Sequence, residues 1–176
     1  LTLENSPLPS KSWPQVPEGE TISLPIPSRV ELNDGWALES SWVDASQLSR
    51  DAYLLETIFH NRNPFQAWLD LGEVNLPLRL RSRRSGDRFQ PLGMTGHSQK
   101  ISDFMINRHI PARARNAWPL VTADSKCRTS AGQAEIILWV CGVQISDQVQ
   151  IQPDSHAVAQ LTLIRPINHI ANQRSY

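Results

Sequence analysis

Two cysteines in 176 residues, Cys127 and Cys141, are too few to staple a small secreted scaffold, and neither sits in a Cys-x-x-Cys pair suited to zinc or redox chemistry. The expected home is a reducing cytoplasm. No run comes near the roughly 18 consecutive apolar residues of a membrane span, and the opening residues lack the basic stretch and apolar core of a signal peptide. The eight glycines are scattered and never adjacent. Neither Gly-x-x-x-x-Gly-Lys-Ser/Thr nor Gly-x-Gly-x-x-Gly occurs, so the backbone cradle those loops give to phosphates is missing. Nucleophile-elbow spacing and His-Glu-x-x-His are absent as well, and the five histidines (His60, His97, His109, His156, His169) lack metal-ligand spacing. No catalytic constellation, cofactor site or metal site is expected in this chain.

Net charge is also lacking, but the zero total hides a segregation. Residues 1–78 hold four basic and eleven acidic side chains, a balance of −7. Residues 79–115 hold nine basic (Arg79, Arg81, Arg83, Arg84, Arg88, Lys100, Arg108, Arg113, Arg115) and two acidic (Asp87, Asp103), a balance of +7. The remainder is even. A partner meets local fields and not totals, so a neutral sum leaves a polyanionic partner open for the middle block.

What is present reads as a β-rich domain. Pro7, Pro9, Pro14 and Pro17 make residues 1–17 a semi-rigid linker, with a further domain expected upstream. Short strands are expected over 21–26, 29–32 and 36–43, with a hairpin turn at Asn33-Asp34-Gly35. A short helix is expected over 49–59, an extended stretch over 66–71 and a turn over 72–77. Leu78-Arg79-Leu80-Arg81 alternates with period two, which buries the leucines and presents Arg79, Arg81 and Arg83 on the other face. Ser98 is the expected N-cap of a helix carrying Ile101, Phe104 and Met105, and Pro111 joins it to a second turn or two before Pro119. The apolar run 136–143 suits a buried central strand, and 158–164 a last one, with a polar tail over 166–176. The fold class is α+β, a mixed or antiparallel sheet with an inserted helix pair, over about residues 18–165.

Four motifs carry a resemblance. They are Arg83-Arg84-Ser85-Gly86-Asp87-Arg88-Phe89-x-Pro91-Leu92-Gly93-Met94, then Lys100-Ile101-Ser102-Asp103-Phe104, Ile110-Pro111-x-x-x-Arg115 and Ile137-Leu138-Trp139-Val140-x-Gly142. In that order, over residues 78–143, the chain resembles the C-terminal domains of tRNA(Ile)-lysidine synthetases. The resemblance implies a parent enzyme that uses ATP to adenylate the wobble cytidine of the isoleucine tRNA with a CAU anticodon, then joins lysine to it. In the family, ATP is held by a Ser-Gly-Gly-x-Asp-Ser loop in an N-terminal catalytic domain, and this sequence has no such loop. The resemblance therefore implies a non-catalytic, tRNA-holding part, with ATP and lysine as substrates of the parent enzyme only.

The residues agree with that implication on their own terms. Guanidinium groups stay charged and pair phosphates bidentately, so Arg79, Arg81, Arg83, Arg84 and Arg88 suit a ribose-phosphate backbone, and Lys100, Arg108, Arg113 and Arg115 extend the surface. Such contacts position a nucleic acid and carry little base information. Two other readings stay open: a solvated strand face held in ordinary salt bridges, and an interaction module whose basic block meets the acidic half of a second copy. Phe89, Phe104, Trp118 and Trp139 are expected in the core.

Overall fold

Leu78 and Leu80 are fully buried in the computed structural model, which describes residues 13–48 and 50–166, so the alternation with Arg79 and Arg81 does sort the two faces of a strand. In chain order the strands are β1 (Thr21–Leu24), β2 (Ser28–Glu31), β3 (Ala37–Val43), β4 (Gln66–Asp70), β5 (Val74–Arg81), β6 (Arg88–Phe89), β7 (Gln99–Lys100), β8 (Leu120–Thr129), β9 (Gly132–Val140), β10 (Gln144–Ile145) and β11 (Val158–Ile164). The helices are α1 (Ala45–Leu48), α2 (Ala52–Phe59) and α3 (Ile101–Asn107). One sheet has the order β1-β5-β8-β9-β10 and a second the order β2-β3-β11-β4, and every pairing in both is antiparallel.

The sheets share a core. Leu24, Leu78, Leu80, Val121 and Leu138 from the first meet Leu38, Leu69, Leu161 and Leu163 from the second. Each sheet also has a covered outer face, because its remaining apolar residues need a partner layer. Leu54, Leu55 and Ile58 of α2 pack over Trp68 and Val158. Asp51 begins that helix, its carboxylate accepting from the amides of Tyr53 and Leu54 at 3.0 Å, a cap worth about 1 kcal/mol. On the first sheet, Phe89, Ile101, Phe104, Met105 and Trp118 cover Leu120, Ile137 and Val140. The continuous apolar run of β9 follows from burial on both sides. A register shift lets Val121 face Trp139 and Thr122 face Ile137, so Leu138 and Trp139 both serve the central core.

Several expectations need correction. Residues 72–77 are not all turn: β5 starts at Val74 and takes in Pro77, with pairing to β8 interrupted between Asn75 and Arg79, where a residue without an N–H is tolerated. Ser98 does not cap α3; Lys100 holds the cap position without a side-chain bond, and Ser98 receives Arg88 instead. The inserted helix pair is present, α3 followed after Pro111 by one 3-10 turn, Ala112–Ala114, the shorter of the two lengths expected. The expected helix over 49–59 is α2, while Ser49 lies outside the described residues. Most of the proline-rich linker and of the polar tail also lie outside them. The part of the linker that is described is docked: Trp13 packs on the α3 layer, Val16 is buried, and the Val16 amide donates to the Ala117 carbonyl at 2.8 Å. Among the described residues no helix is long and apolar enough to cross a membrane, and no His, Cys, Asp and Glu cluster could hold a metal.

Candidate nucleic-acid interface

Arg79 and Arg81 leave the core side of β5, and the neighbouring strands meet them with carboxylates. Asp124 on β8 takes Arg79 in a two-point pair, Nη2 to Oδ1 at 2.5 Å and Nη1 to Oδ2 at 3.1 Å. Arg79 Nε donates to Glu135 of β9 at 3.1 Å. Arg81 is only 2% exposed, yet all five of its N–H bonds are used. Nη1 donates to Asp87 at 2.7 Å and to the Ser82 carbonyl at 2.9 Å; Nη2 donates to Asp87 at 3.0 Å and Glu135 at 2.9 Å; Nε donates to Glu135 at 3.2 Å. Burial disfavours the Arg81 cation, but its bonds to Asp87 and Glu135 outweigh that and raise its pKa. Burial likewise pushes the Glu135 carboxyl up, and bonds from Arg81 and Thr122 more than reverse it, leaving Glu135 below its ordinary value.

Past Arg81 the chain makes a tight turn. The Asp87 amide donates to the Arg84 carbonyl at 3.2 Å, and the Arg84 amide donates to Asp87 Oδ2 at 2.7 Å. Gly86 has φ 85°, and a Cβ built there would meet nothing within 4 Å, so the glycine serves its dihedral and not a close approach. The Asp87 carbonyl then receives the Ile101 amide at 3.0 Å, tying the turn to the start of α3. Between these pieces opens a cavity of about 780 Å³, walled by Arg83, Arg84, Arg88 and Lys100. Ser82, Ser85, Ser102 and Asn116 add neutral polar groups, and among the described residues Glu18 and Asp87 are its acids and no aromatic ring lines it. Cations and hydroxyls without a stacking surface suit phosphate and ribose better than bases.

Neutral partners orient the arginines here, and of the three only Arg84 also meets a carboxylate. Arg83 Nη2 donates to Asn116 Oδ1 at 2.6 Å, Arg84 Nη2 to Thr21 Oγ1 at 2.8 Å, and Arg88 Nε to Ser98 Oγ at 2.9 Å. Arg84 also reaches Glu135, at 3.4 Å. The β6-β7 register sets Arg88 directly opposite Lys100. Like charges so placed destabilise a strand pair by roughly 0.2–1 kcal/mol, a cost that an anion between them would remove. Lys100→Gln is accordingly expected to raise the thermal midpoint by about 1–2 °C in a circular-dichroism melt. A fall instead would mean that Lys100 braces the ladder.

The nine basic residues singled out from the sequence thus separate. Arg83, Arg84, Arg88 and Lys100 converge on the cavity. Arg79 and Arg81 lie behind it in carboxylate pairs, and the cavity lining does not include Arg108, Arg113 or Arg115. Arg108 lies over the Phe104 ring, 5.4 Å from its centroid, and donates to Gln144. Arg115 donates to the Ile110 carbonyl at 2.7 Å, and Arg113 is exposed on the 3-10 turn. Sequence reasoning missed Asp124, Glu135, Asn116 and Glu18. Strand register brings in Asp124 and Glu135, while Glu18 and Asn116 come from the loops that lead into β1 and β8.

Comparison with known proteins gives a consistent answer. The family model of the TilS substrate C-terminal domain matches residues 78–162. A tRNA(Ile)-lysidine synthase of Oceanobacillus iheyensis is 32% identical over 123 residues, covering 70% of this chain and 22% of that protein. One from Geobacter sulfurreducens is 30% identical over 132 residues, covering 70% and 26%. The chain therefore spans about a quarter of the length of these curated relatives. A crystal structure of a TilS C-terminal domain superposes with a TM-score of 0.61 at 27% identity, over 85% of this chain and 98% of that one. Matched in sequence across its basic block and in fold across nearly the whole of the solved domain, the chain belongs to the TilS C-terminal domain family.

Proposed function

We propose that this chain is the tRNA-holding C-terminal part of a tRNA(Ile)-lysidine synthase and that Arg83, Arg84, Arg88 and Lys100 grip the ribose-phosphate backbone. The observation that carries the reading is the convergence of these four cations on one cavity, with Arg88 and Lys100 set opposite each other. The parent enzyme would work in the cytoplasm, spending ATP to join lysine to the wobble cytidine of the isoleucine tRNA with a CAU anticodon. That chemistry would belong to a separate catalytic domain. This part would be non-catalytic and would bring no cofactor of its own.

Filter binding of the chain to isoleucine tRNA across a salt series tests the proposal. Each phosphate neutralised contributes about 0.7–0.9 to the slope of log K against log salt, so four contacts predict a slope of roughly −3 to −4. A flat salt dependence would remove the backbone grip. No binding at low salt, together with a dimer in light scattering, would favour an interaction module in which the basic cavity meets the acidic N-terminal half of a second copy.

A further inference from the structure

We infer that Asp87, although an acid at the edge of a site for a polyanion, strengthens RNA binding by holding the 84–87 turn; this rests on the RNA-backbone reading above. Its carboxylate has two employments. It receives the Arg81 fork, Nη1 at 2.7 Å and Nη2 at 3.0 Å, and with Oδ2 it also receives the Arg84 backbone amide at 2.7 Å. Arg81 is itself buried and held from the other side by Glu135. The chain of contacts Glu135, Arg81, Asp87, Arg84 therefore runs from β9 of the five-stranded sheet, through Arg81 on β5, to the rim of the cavity. It sets where Arg83 and Arg84 leave the backbone, and the Asp87 carbonyl carries the same reference to Ile101, next to Lys100. Asp87 is thus a positioning residue. It acts through the arginines and needs no contact with RNA.

Coulomb's law alone makes the opposite forecast, and that gives the inference its test. Removing a negative charge from a polyanion site strengthens binding if charge is all that matters. Glu18 is the control, because it is the cavity's other acid. In titrations of the whole chain with isoleucine tRNA, Glu18→Gln is expected to tighten binding about twofold to threefold at low salt. Asp87→Asn is expected to weaken it about fivefold, since one amide oxygen can keep Arg81 Nη1 and the Arg84 amide only by turning its NH2 against Arg81 Nη2, which breaks the fork. A double-mutant cycle sharpens the reading: Arg84→Gln should cost far less affinity in the Asp87→Asn background than in the parent. An uncoupled cycle contradicts positioning.

Gly86→Ala provides a version that changes no charge and meets no steric obstacle, while straining the positive φ of the turn. It should weaken binding about threefold or more in folded protein, and it decides the matter if Asp87→Asn does not fold. Tighter binding by Asp87→Asn, or wild-type binding by folded Gly86→Ala, overturns the positioning role while the RNA reading stands. Absence of tRNA binding by the parent chain removes both.

Discussion

Replacing Arg81 by methionine is expected to cost about 3–5 kcal/mol of folding stability, the usual penalty for stripping one partner from a buried ion group. Methionine fills the space of the Arg81 stem, but Asp87 and Glu135 are left facing an apolar tip. Four of the five N–H bonds of the Arg81 side chain go to these two carboxylates. The thermal midpoint should fall by about 10 °C for a domain of this size. pH separates this cause from lost packing. Glu135 has a lowered pKa when folded, so its stabilising contribution is fully present above its unfolded pKa, roughly 4.3, and is lost as pH falls through the folded value. In Arg81→Met its strongest partner is gone and burial remains. The stability gap between the two proteins should therefore narrow at pH 3 relative to pH 7. Urea midpoints at the two pH values give the comparison, and an unchanged gap would assign the loss to packing.

This behaviour is invisible in the sequence, where Arg79, Arg81 and Arg83 form one row with period two. The period does put the leucines on the core face and Arg79 and Arg81 on the opposite one, where Arg81 is nonetheless buried. It cannot say what lies across the outer face. Glu135 is 54 residues from Arg81, and it arrives only because β8 brings β9 into register. β8 itself escapes periodicity: its core contributions include the small Ala123 beside Thr122 and Asp124, a weak apolar signal. Signals confined to a few residues read more faithfully. Asn33-Asp34-Gly35 forms its turn with φ of 50° at Asp34 and 82° at Gly35, and the last strand spans 158–164 as expected. The cavity has both characters. Arg83, Arg84, Arg88 and Lys100 are near neighbours in sequence and stand out as a cluster, whereas Asn116 and Glu18 join it only through the fold.

Removing the four cavity charges together, with Arg83→Gln, Arg84→Gln, Arg88→Gln and Lys100→Gln, is expected to weaken tRNA binding by about three orders of magnitude at 0.1 M salt. The estimate follows from counterion release, since each lost phosphate contact removes about 0.7–0.9 decade at that concentration and flattens the salt slope by the same amount. Stability should barely change. Asn116, Thr21 and Ser98 lose neutral hydrogen bonds at the exposed rim, Glu135 loses a long, half-exposed ion pair to Arg84, and relief of the Arg88 and Lys100 repulsion offsets part of that loss. A companion protein with Arg108→Gln, Arg113→Gln and Arg115→Gln distinguishes a focused site from bulk charge. Those three side chains lie outside the cavity lining, so their removal should cost roughly tenfold or less even though it changes net charge nearly as much. Equal losses in the two proteins would mean that the whole +7 block acts as a diffuse field. A steep loss confined to the first would locate the grip at the turn that Arg81 and Asp87 hold in place.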